Sequence, residues 1–250
     1  MPREEVVLQA DDSALKGMVI GEGERFDELL NAKSRDRALP KRDRTRCAVM
    51  SCVARQLLVD PGRHPAIETI LDETGLSRGT FYNYFDDIDM AIEAVLVGFF
   101  NALWSPPTTR RGKNAAKHKD AVYAANLWYC QAYETNAGLF AAFSHVSAYT
   151  PSLVRMREQM NAVWVERVTE AVSRDHDVKF SASMRRDFRG ALRLLIAMSI
   201  EALRERHVHQ DQLLTSSFEN AHELAAGLTT VWTDVIDAYV ARAKSNGNGS

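Results

Sequence analysis

The chain has 250 residues, of which 46% are hydrophobic and 26% charged, with a net charge of −2. These values are typical of a globular protein with one or two cores. They exclude a low-complexity chain, and no apolar run approaches the roughly 20 residues that cross a bilayer, so we expect no membrane partner.

Cysteine usage and the start of the chain indicate the compartment. Cys47, Cys52 and Cys130 are odd in number, and none belongs to a C-x-x-C pair. We therefore expect buried thiols rather than disulfides, in a reducing cytoplasm. The first residues lack the apolar run of a signal peptide. No motif predicts a cofactor.

Residues 1–38 are polar and weakly periodic, which predicts a flexible extension with one or two helical turns around residues 25–30. Charge is uneven along this part of the chain. Residues 1–32 hold three basic and eight acidic side chains, a net charge of −5, whereas residues 33–46 hold seven basic and two acidic ones, a net charge of +5. One hypothesis is an arm that places Lys33, Arg35 and Arg37 along DNA.

Residues 39–104 contain several helical patterns. A first helix from about Thr45 ends before Pro61-Gly62. Apolar residues at helical spacing then predict a short helix from Ile67, which ends at Gly75, a residue suited to the left-handed backbone conformation. A longer helix follows Asp86 or Asp87, either of which is a good N-cap, and it ends near residue 104.

Between these helices, residues 75–85 read GLSRGTFYNYF. Ser77 is a good N-cap, and a helix after it turns Phe81 and Phe85 inward and leaves Arg78 and Asn83 exposed. Two helices joined by a short glycine-containing turn form a helix-turn-helix.

The GLSRGTFYNYF segment and its flanking helices resemble the tetracycline-repressor (TetR) family of bacterial transcriptional regulators. The close resemblance covers roughly residues 41–104. It implies an all-α fold, with a three-helix DNA-binding domain followed by a helical domain for effector binding and dimerisation. It also implies a homodimer on a near-palindromic DNA operator, acting as a repressor that a small effector releases.

Eleven residues are predicted to contact DNA. Arg78 is the candidate for reading guanine and Thr80 or Asn83 for reading other bases, while the remainder suit phosphates. The set is Lys41, Arg42, Arg44, Arg46, Ser77, Arg78, Gly79, Thr80, Tyr82, Asn83 and Tyr84. Three usual contacts of the family are missing, because Asp87-Ile88-Asp89 replaces a lysine-containing stretch, and Pro65-Ala66 and Glu68 replace a threonine and an arginine.

A basic linker is predicted at residues 105–119, followed by the helical domain at 120–243 and a disordered tail at 244–250. We expect helices at about 120–135, 137–148, 151–175, 182–208 and 212–243, with no strands. Large apolar and aromatic side chains are candidates for binding an apolar or aromatic effector, although such residues equally suit a core. They are Trp128, Tyr129, Tyr133, Phe140, Phe143, Met156, Met160, Trp164 and Met198.

In the family the last two helices form the dimer interface. The resemblance therefore assigns this role to the apolar stripes of residues 182–208 and 212–243. The residues are Phe188, Leu192, Leu195, Ser199, Ala225, Leu228, Trp232, Val235 and Tyr239.

Other functions find weaker support. Ser13-Ala14-Leu15-Lys16 matches S-x-x-K but lacks the partner motifs of a β-lactamase-like enzyme. His222-Glu223 lacks the second histidine of a zinc protease, so we expect no enzyme. His207, His209 and Asp211 leave a metal site open as an alternative. A helix-turn-helix used for protein contacts, or for constitutive DNA binding without an effector, is the other alternative.

Overall fold

A computed structural model describes residues 14–104 and 118–247, and within these ranges the chain forms eleven helices and no strand. The predicted all-α class is confirmed. The helices are α1 (Phe26–Arg35), α2 (Lys41–Val59), α3 (Ile67–Thr74), α4 (Arg78–Tyr82), α5 (Ile88–Trp104), α6 (His118–Thr135), α7 (Ala137–Val146), α8 (Pro151–Asp175), α9 (Ala182–His207), α10 (Gln212–Ser217) and α11 (Ala221–Gly247). None of these helices combines the length and apolar character that a bilayer crossing requires.

Three stretches lie outside the described residues: 1–13, 105–117 and 248–250. They include the start of the predicted extension, nearly all of the predicted basic linker and the end of the predicted tail. The S-x-x-K serine, Ser13, also lies there. The described part of the tail, residues 244–247, is the end of α11.

The helical turns predicted around residues 25–30 are present as part of α1. The prediction that the described residues 14–38 form a flexible extension is nevertheless wrong. Phe26 and Leu30 of α1 are fully buried, as is Ile20 before the helix. The Phe26 ring packs edge-on against Phe99 of α5, with the ring centroids 5.6 Å apart. Most of the other residues in α1 are polar, so the amphipathic pattern in the sequence is only weak. A helix this short is stabilised mainly by packing of its apolar face. Lys33 and Arg35 occupy its last turn instead of an extended arm.

The described residues form two compact units, and their boundary differs from the predicted one. Unit 1 contains residues 14–104 and 135–156, and unit 2 contains residues 118–134 and 157–247. Helix α7 thus belongs with α2 and α5 rather than with the later helices. A Cβ atom on Gly138 of α7 would lie 2.5 Å from the backbone of Leu58, so the missing side chain lets α7 lie against α2.

The core of unit 1 is aromatic. The Phe99 and Phe140 ring centroids are 5.0 Å apart, and those of Phe100 and Phe143 are 4.3 Å apart. Cys47 and Cys52 lie buried in the same unit, and Cys130 is buried in unit 2. All three cysteines are free, which confirms the predicted role as buried thiols.

In unit 2 the apolar stripes of α9 and α11 pack on each other within one chain. Phe188 and Leu192 are fully buried, and the ring centroids of Phe188 and Tyr239 are 5.1 Å apart. The indole Nε1 of Trp232 donates a hydrogen bond of 3.0 Å to the hydroxyl of Ser199. Of the nine predicted dimer residues, seven are buried, and Val235 and Tyr239 are half-buried. For the seven buried residues the assignment to a dimer interface is therefore corrected, since their side chains already occupy the core of unit 2. For Val235 and Tyr239 it remains a prediction.

The helix predicted at 212–243 is interrupted at residues 218–220. Phe218 leaves the helical path, and its ring contacts the backbone of Gly227, where a Cβ atom would lie 2.8 Å from the Phe218 Cε1 atom. The side chain of Asn220 then caps α11 by accepting a hydrogen bond of 3.1 Å from the Glu223 N–H group.

Candidate nucleic-acid interface

The segment from α3 to α4 turns sharply at Gly75. This residue has φ of 67° and ψ of 18°, the left-handed conformation predicted for it, and its N–H group donates to the Leu71 carbonyl. Nothing lies within 4 Å of an added Cβ atom, so backbone conformation rather than space favours glycine here.

Ser77 begins α4 as predicted. Its hydroxyl oxygen accepts a hydrogen bond of 3.2 Å from the Thr80 N–H group. The Ser77 and Thr80 hydroxyls also lie 2.8 Å apart. Both side chains are thus already engaged in the cap, which orients the first turn of α4.

Two phenylalanines anchor this segment to unit 1. Phe81 is fully buried and Phe85 is 4% exposed, as the spacing predicts. The opposite surface of α4 faces solvent, and Arg78, Gly79, Tyr82 and Asn83 are all exposed there. Burial of Phe81 and Phe85 fixes which side of α4 faces the core, so the polar side chains on the opposite side all face solvent together.

Arg78 has a partner that the sequence did not predict. Its guanidinium forms an ion pair with the carboxylate of Glu68, one helix earlier. The Glu68 pKa is lowered, chiefly by a hydrogen bond to the residue's own backbone and then by Arg78. Any ligand that binds Arg78 therefore competes with an ionised carboxylate.

Arg46 stabilises the protein itself. Its guanidinium lies 4.3 Å from the centroid of the Phe85 ring and donates a hydrogen bond of 3.1 Å to the Tyr84 carbonyl. These contacts connect α2 to the end of the α4 segment. A phosphate contact from Arg46 remains a prediction.

The remaining predicted DNA contacts lie at the start of α2, in α4 at Gly79, and just beyond the end of α4 at Tyr84. Lys41 and Arg42 open α2 and are exposed, while Arg44 is half-buried. These cations lie at the positive end of the helix dipole, where an anion would relieve their repulsion. Tyr84 is half-buried, and an added Cβ atom on Gly79 would meet nothing within 4 Å.

Acidic residues occupy the start of α5. Asp87 caps this helix, because its carboxylate accepts a hydrogen bond of 2.8 Å from the Met90 N–H group. Asp89 lies 3.3 Å from the ring nitrogen Nδ1 of His64. Both carboxylates thus have structural partners at the position where the family has a lysine.

A chain of charged side chains joins α1, α2 and α3. The buried carboxylate of Asp27 contacts Arg25 at 2.9 Å and Arg55 at 3.7 Å. Arg55 in turn contacts Glu73 of α3 at 2.7 Å. Sequence reasoning missed this network, because Asp27, Arg55 and Glu73 are distant in sequence and the contact of Asp27 with Arg55 depends on α1 packing on α2.

The predicted effector residues are divided between the units. Phe140, Phe143 and Met156 are buried in unit 1. Of the six in unit 2, Tyr133 and Met160 are buried, and the half-buried ones are Trp128, Tyr129, Trp164 and Met198.

The structure has a cavity of about 430 Å³ in unit 1, lined by residues from Met18 to Asp36, and one of about 410 Å³ in unit 2, between α8 and α9. None of the nine predicted effector residues lines either cavity. An effector site at these residues therefore remains a prediction.

The metal alternative gains no support. Within the described ranges, no group of three or more His, Cys, Asp or Glu side chains is arranged to hold a metal ion. Asp211 instead caps α10 by accepting a hydrogen bond of 2.8 Å from the Leu214 N–H group.

Comparison of the chain with known proteins found no matching family model, no matching curated protein and no matching solved structure.

Proposed function

We propose that the chain is a TetR-like transcriptional regulator that binds DNA through α3, the turn at Gly75 and α4. One observation carries this proposal. The exposed face of α4 begins with Arg78 and Gly79, while Phe81 on its other face and Phe85, three residues beyond its end, are buried. A recognition helix needs this arrangement, because its N-terminal residues must reach base edges while its other face holds it rigidly.

In the proposed complex, the contacts divide into two kinds. Arg78 reads a guanine through its paired N–H groups, and Asn83 reads an adjacent base. Tyr82 and the first basic residues of α2, Lys41 and Arg42, contact phosphates and so set the position of the protein on the duplex. The exposed backbone at Gly79 permits a close approach.

The Glu68–Arg78 ion pair controls the availability of Arg78 in this proposal. In the free protein, Glu68 holds the guanidinium against α3. On DNA, a guanine or phosphate replaces the carboxylate. The cost of breaking the pair is the same at every site, and it is offset more fully where a guanine offers Arg78 a bidentate partner.

The proposal includes a homodimer, because two α4 helices on a two-fold axis read a near-palindromic site. The interface cannot use the stripes buried between α9 and α11. We assign it to the outer faces of these helices, where Leu194 is 73% exposed and Val231 is 42% exposed. A small apolar or aromatic effector that lowers the DNA affinity completes the proposed mechanism.

The test is selection of bound sequences from a genomic fragment library with purified protein. The native chain is compared with Arg78→Ala and with the control Arg174→Ala. The two arginines are matched, since their side chains are 55% and 58% exposed and each pairs with an acid. We expect a near-palindromic motif that relaxes in Arg78→Ala and persists in Arg174→Ala.

Absence of an enriched motif for the native chain would refute sequence-specific binding. The products of the genes next to the selected sites indicate which small compounds to test as effectors. If none of these compounds weakens binding to the selected motif, constitutive DNA binding would be favoured.

A further inference from the structure

A basic groove runs between α8 and α9 in unit 2, with a volume of about 410 Å³. Arg186, Arg189 and Arg193 line it from α9, and Arg157 lines it from α8. The spacing of three and four residues places the three arginines of α9 on one face of the helix. The groove thus gathers four guanidinium groups from two helices.

The positive charge of the groove is only partly neutralised. Glu158 is the one acidic residue that lines it. Arg189 lies 3.5 Å from Glu166, which also pairs with Arg185. In the part of the chain that the structure describes, Arg157 and Arg193 form no ion pair or side-chain hydrogen bond. Arg186 pairs with its neighbour Asp187 at 3.1 Å. Arg157 and Arg193 are thus the two cations of the groove that lack an acidic partner among the described residues, and a bound anion would supply one.

The base of the groove is apolar and open. Ala162 and the buried Val165 line it from α8, and Gly190 lines it from α9. A Cβ atom added to Gly190 would meet no atom within 4 Å, so the space above this residue is empty. The volume falls in the range of small-molecule sites, roughly 300–1,000 Å³.

We propose that this groove binds a small organic anion that carries two or more carboxylate or phosphate groups on a compact apolar body. The anionic groups pair with Arg157, Arg189 and Arg193, whose planar guanidinium groups match either oxyanion. The apolar body lies over Gly190 and Val165. This assignment does not depend on DNA binding, and it concerns none of the predicted effector residues.

The experiment is isothermal titration calorimetry of the full chain with two probes, phthalate and pyrophosphate. Phthalate offers two carboxylates on an apolar ring, and pyrophosphate offers two linked phosphate groups without an apolar body. We expect one phthalate per chain. Arg189→Gln/Arg193→Gln should weaken it at least about tenfold, because two charged partners are lost. Binding of pyrophosphate should be weakened by the same double substitution.

A second variant tests whether the ligand occupies the open space above Gly190, independently of the charge of the arginines. Gly190→Met places a side chain in the open groove and should abolish phthalate binding, whereas Gly190→Ala should leave the helix intact and bind almost as well as the native chain. The charge-matched control is Arg174→Gln/Arg242→Gln, which removes two exposed arginines of unit 2 elsewhere.

Circular dichroism and gel filtration establish that each variant is folded. The proposal is overturned if neither probe binds, or if the control weakens binding as much as Arg189→Gln/Arg193→Gln does. Binding that becomes weaker as the protein concentration rises would overturn it in favour of a second copy of the chain covering the groove.

Discussion

The backbone N–H group of Phe26 donates a hydrogen bond of 2.9 Å to the side-chain oxygen of Asn136, 110 residues further along the chain. The amide nitrogen of Asn136 in turn donates to the Glu24 carbonyl at 3.0 Å. The N-cap residue of α1, Arg25, makes no side-chain cap. Asn136 therefore supplies from the start of α7 the capping that α1 lacks locally.

Asn136→Ala should lower the free energy of unfolding by about 2 kcal/mol, because Asn136 is fully buried and its loss leaves two backbone groups without partners. Urea unfolding followed by circular dichroism measures this. Asn31→Ala, on the half-buried surface of α1, is the matched control and should change stability little. Equal effects of the two substitutions would contradict the capping role.

Glu68→Gln should raise the affinity for the selected DNA site severalfold, since it removes a carboxylate that holds Arg78 and repels phosphates. Fluorescence anisotropy at fixed salt concentration measures the change. Glu73→Gln removes the same charge from α3 but releases Arg55 instead, and it should have a smaller effect. Weaker binding by Glu68→Gln would show that Glu68 positions Arg78 for DNA.

Ser199→Ala should destabilise the chain by about 1–3 kcal/mol, because the buried Trp232 N–H group loses its acceptor. Ser245→Ala serves as the control, since the Ser245 hydroxyl is exposed and bonds only to its own helix. Chemical unfolding of both variants decides the outcome. A neutral Ser199→Ala would mean that the indole finds another partner.

Leu194→Glu should raise the dissociation constant of the proposed dimer at least about tenfold, because it places a charge in a buried apolar contact. Sedimentation over a range of protein concentrations measures it. Leu213 of α10 is also 73% exposed, so Leu213→Glu is a matched control that should leave association unchanged. Dissociation by Leu213→Glu alone would move the interface to α10.

Acid should destabilise the fold through His207. Burial, followed by the nearby charge of Arg206, lowers the pKa of this histidine from 6.5 to about 4. Between pH 6.5 and about 4, His207 is protonated in the unfolded chain but neutral in the folded chain. The free energy of unfolding therefore falls as the pH drops through this interval. His207→Gln should flatten this decline in unfolding measurements across that interval, and His209→Gln, an exposed neighbour, should not. A decline that persists in His207→Gln would assign it to other groups.

Local chemistry made parts of the structure predictable. The left-handed Gly75, the Ser77 cap and the Asp87 cap each depend on groups within a few residues of one another, so the sequence contains all the participants. Helical spacing likewise predicted the burial of Phe81 and Phe85. The start of α11 had a local signal as well, since Asn220 and Glu223 stand three residues apart, as the N-cap and N3 residues of a capping box do.

By itself, the sequence determined the all-α class, the turn at Gly75 and the exposed polar face of α4, because short-range spacing and capping govern these features. Only the tertiary structure decided that α1 is a packed helix, that Asn136 caps it and that α7 lies against α2. It also decided that the apolar stripes of α9 and α11 pack on each other within one chain, and that Glu68 forms an ion pair with Arg78. Each of these depends on groups brought together by chain packing, and the same apolar stripe has the same spacing whether its partner belongs to its own chain or to another.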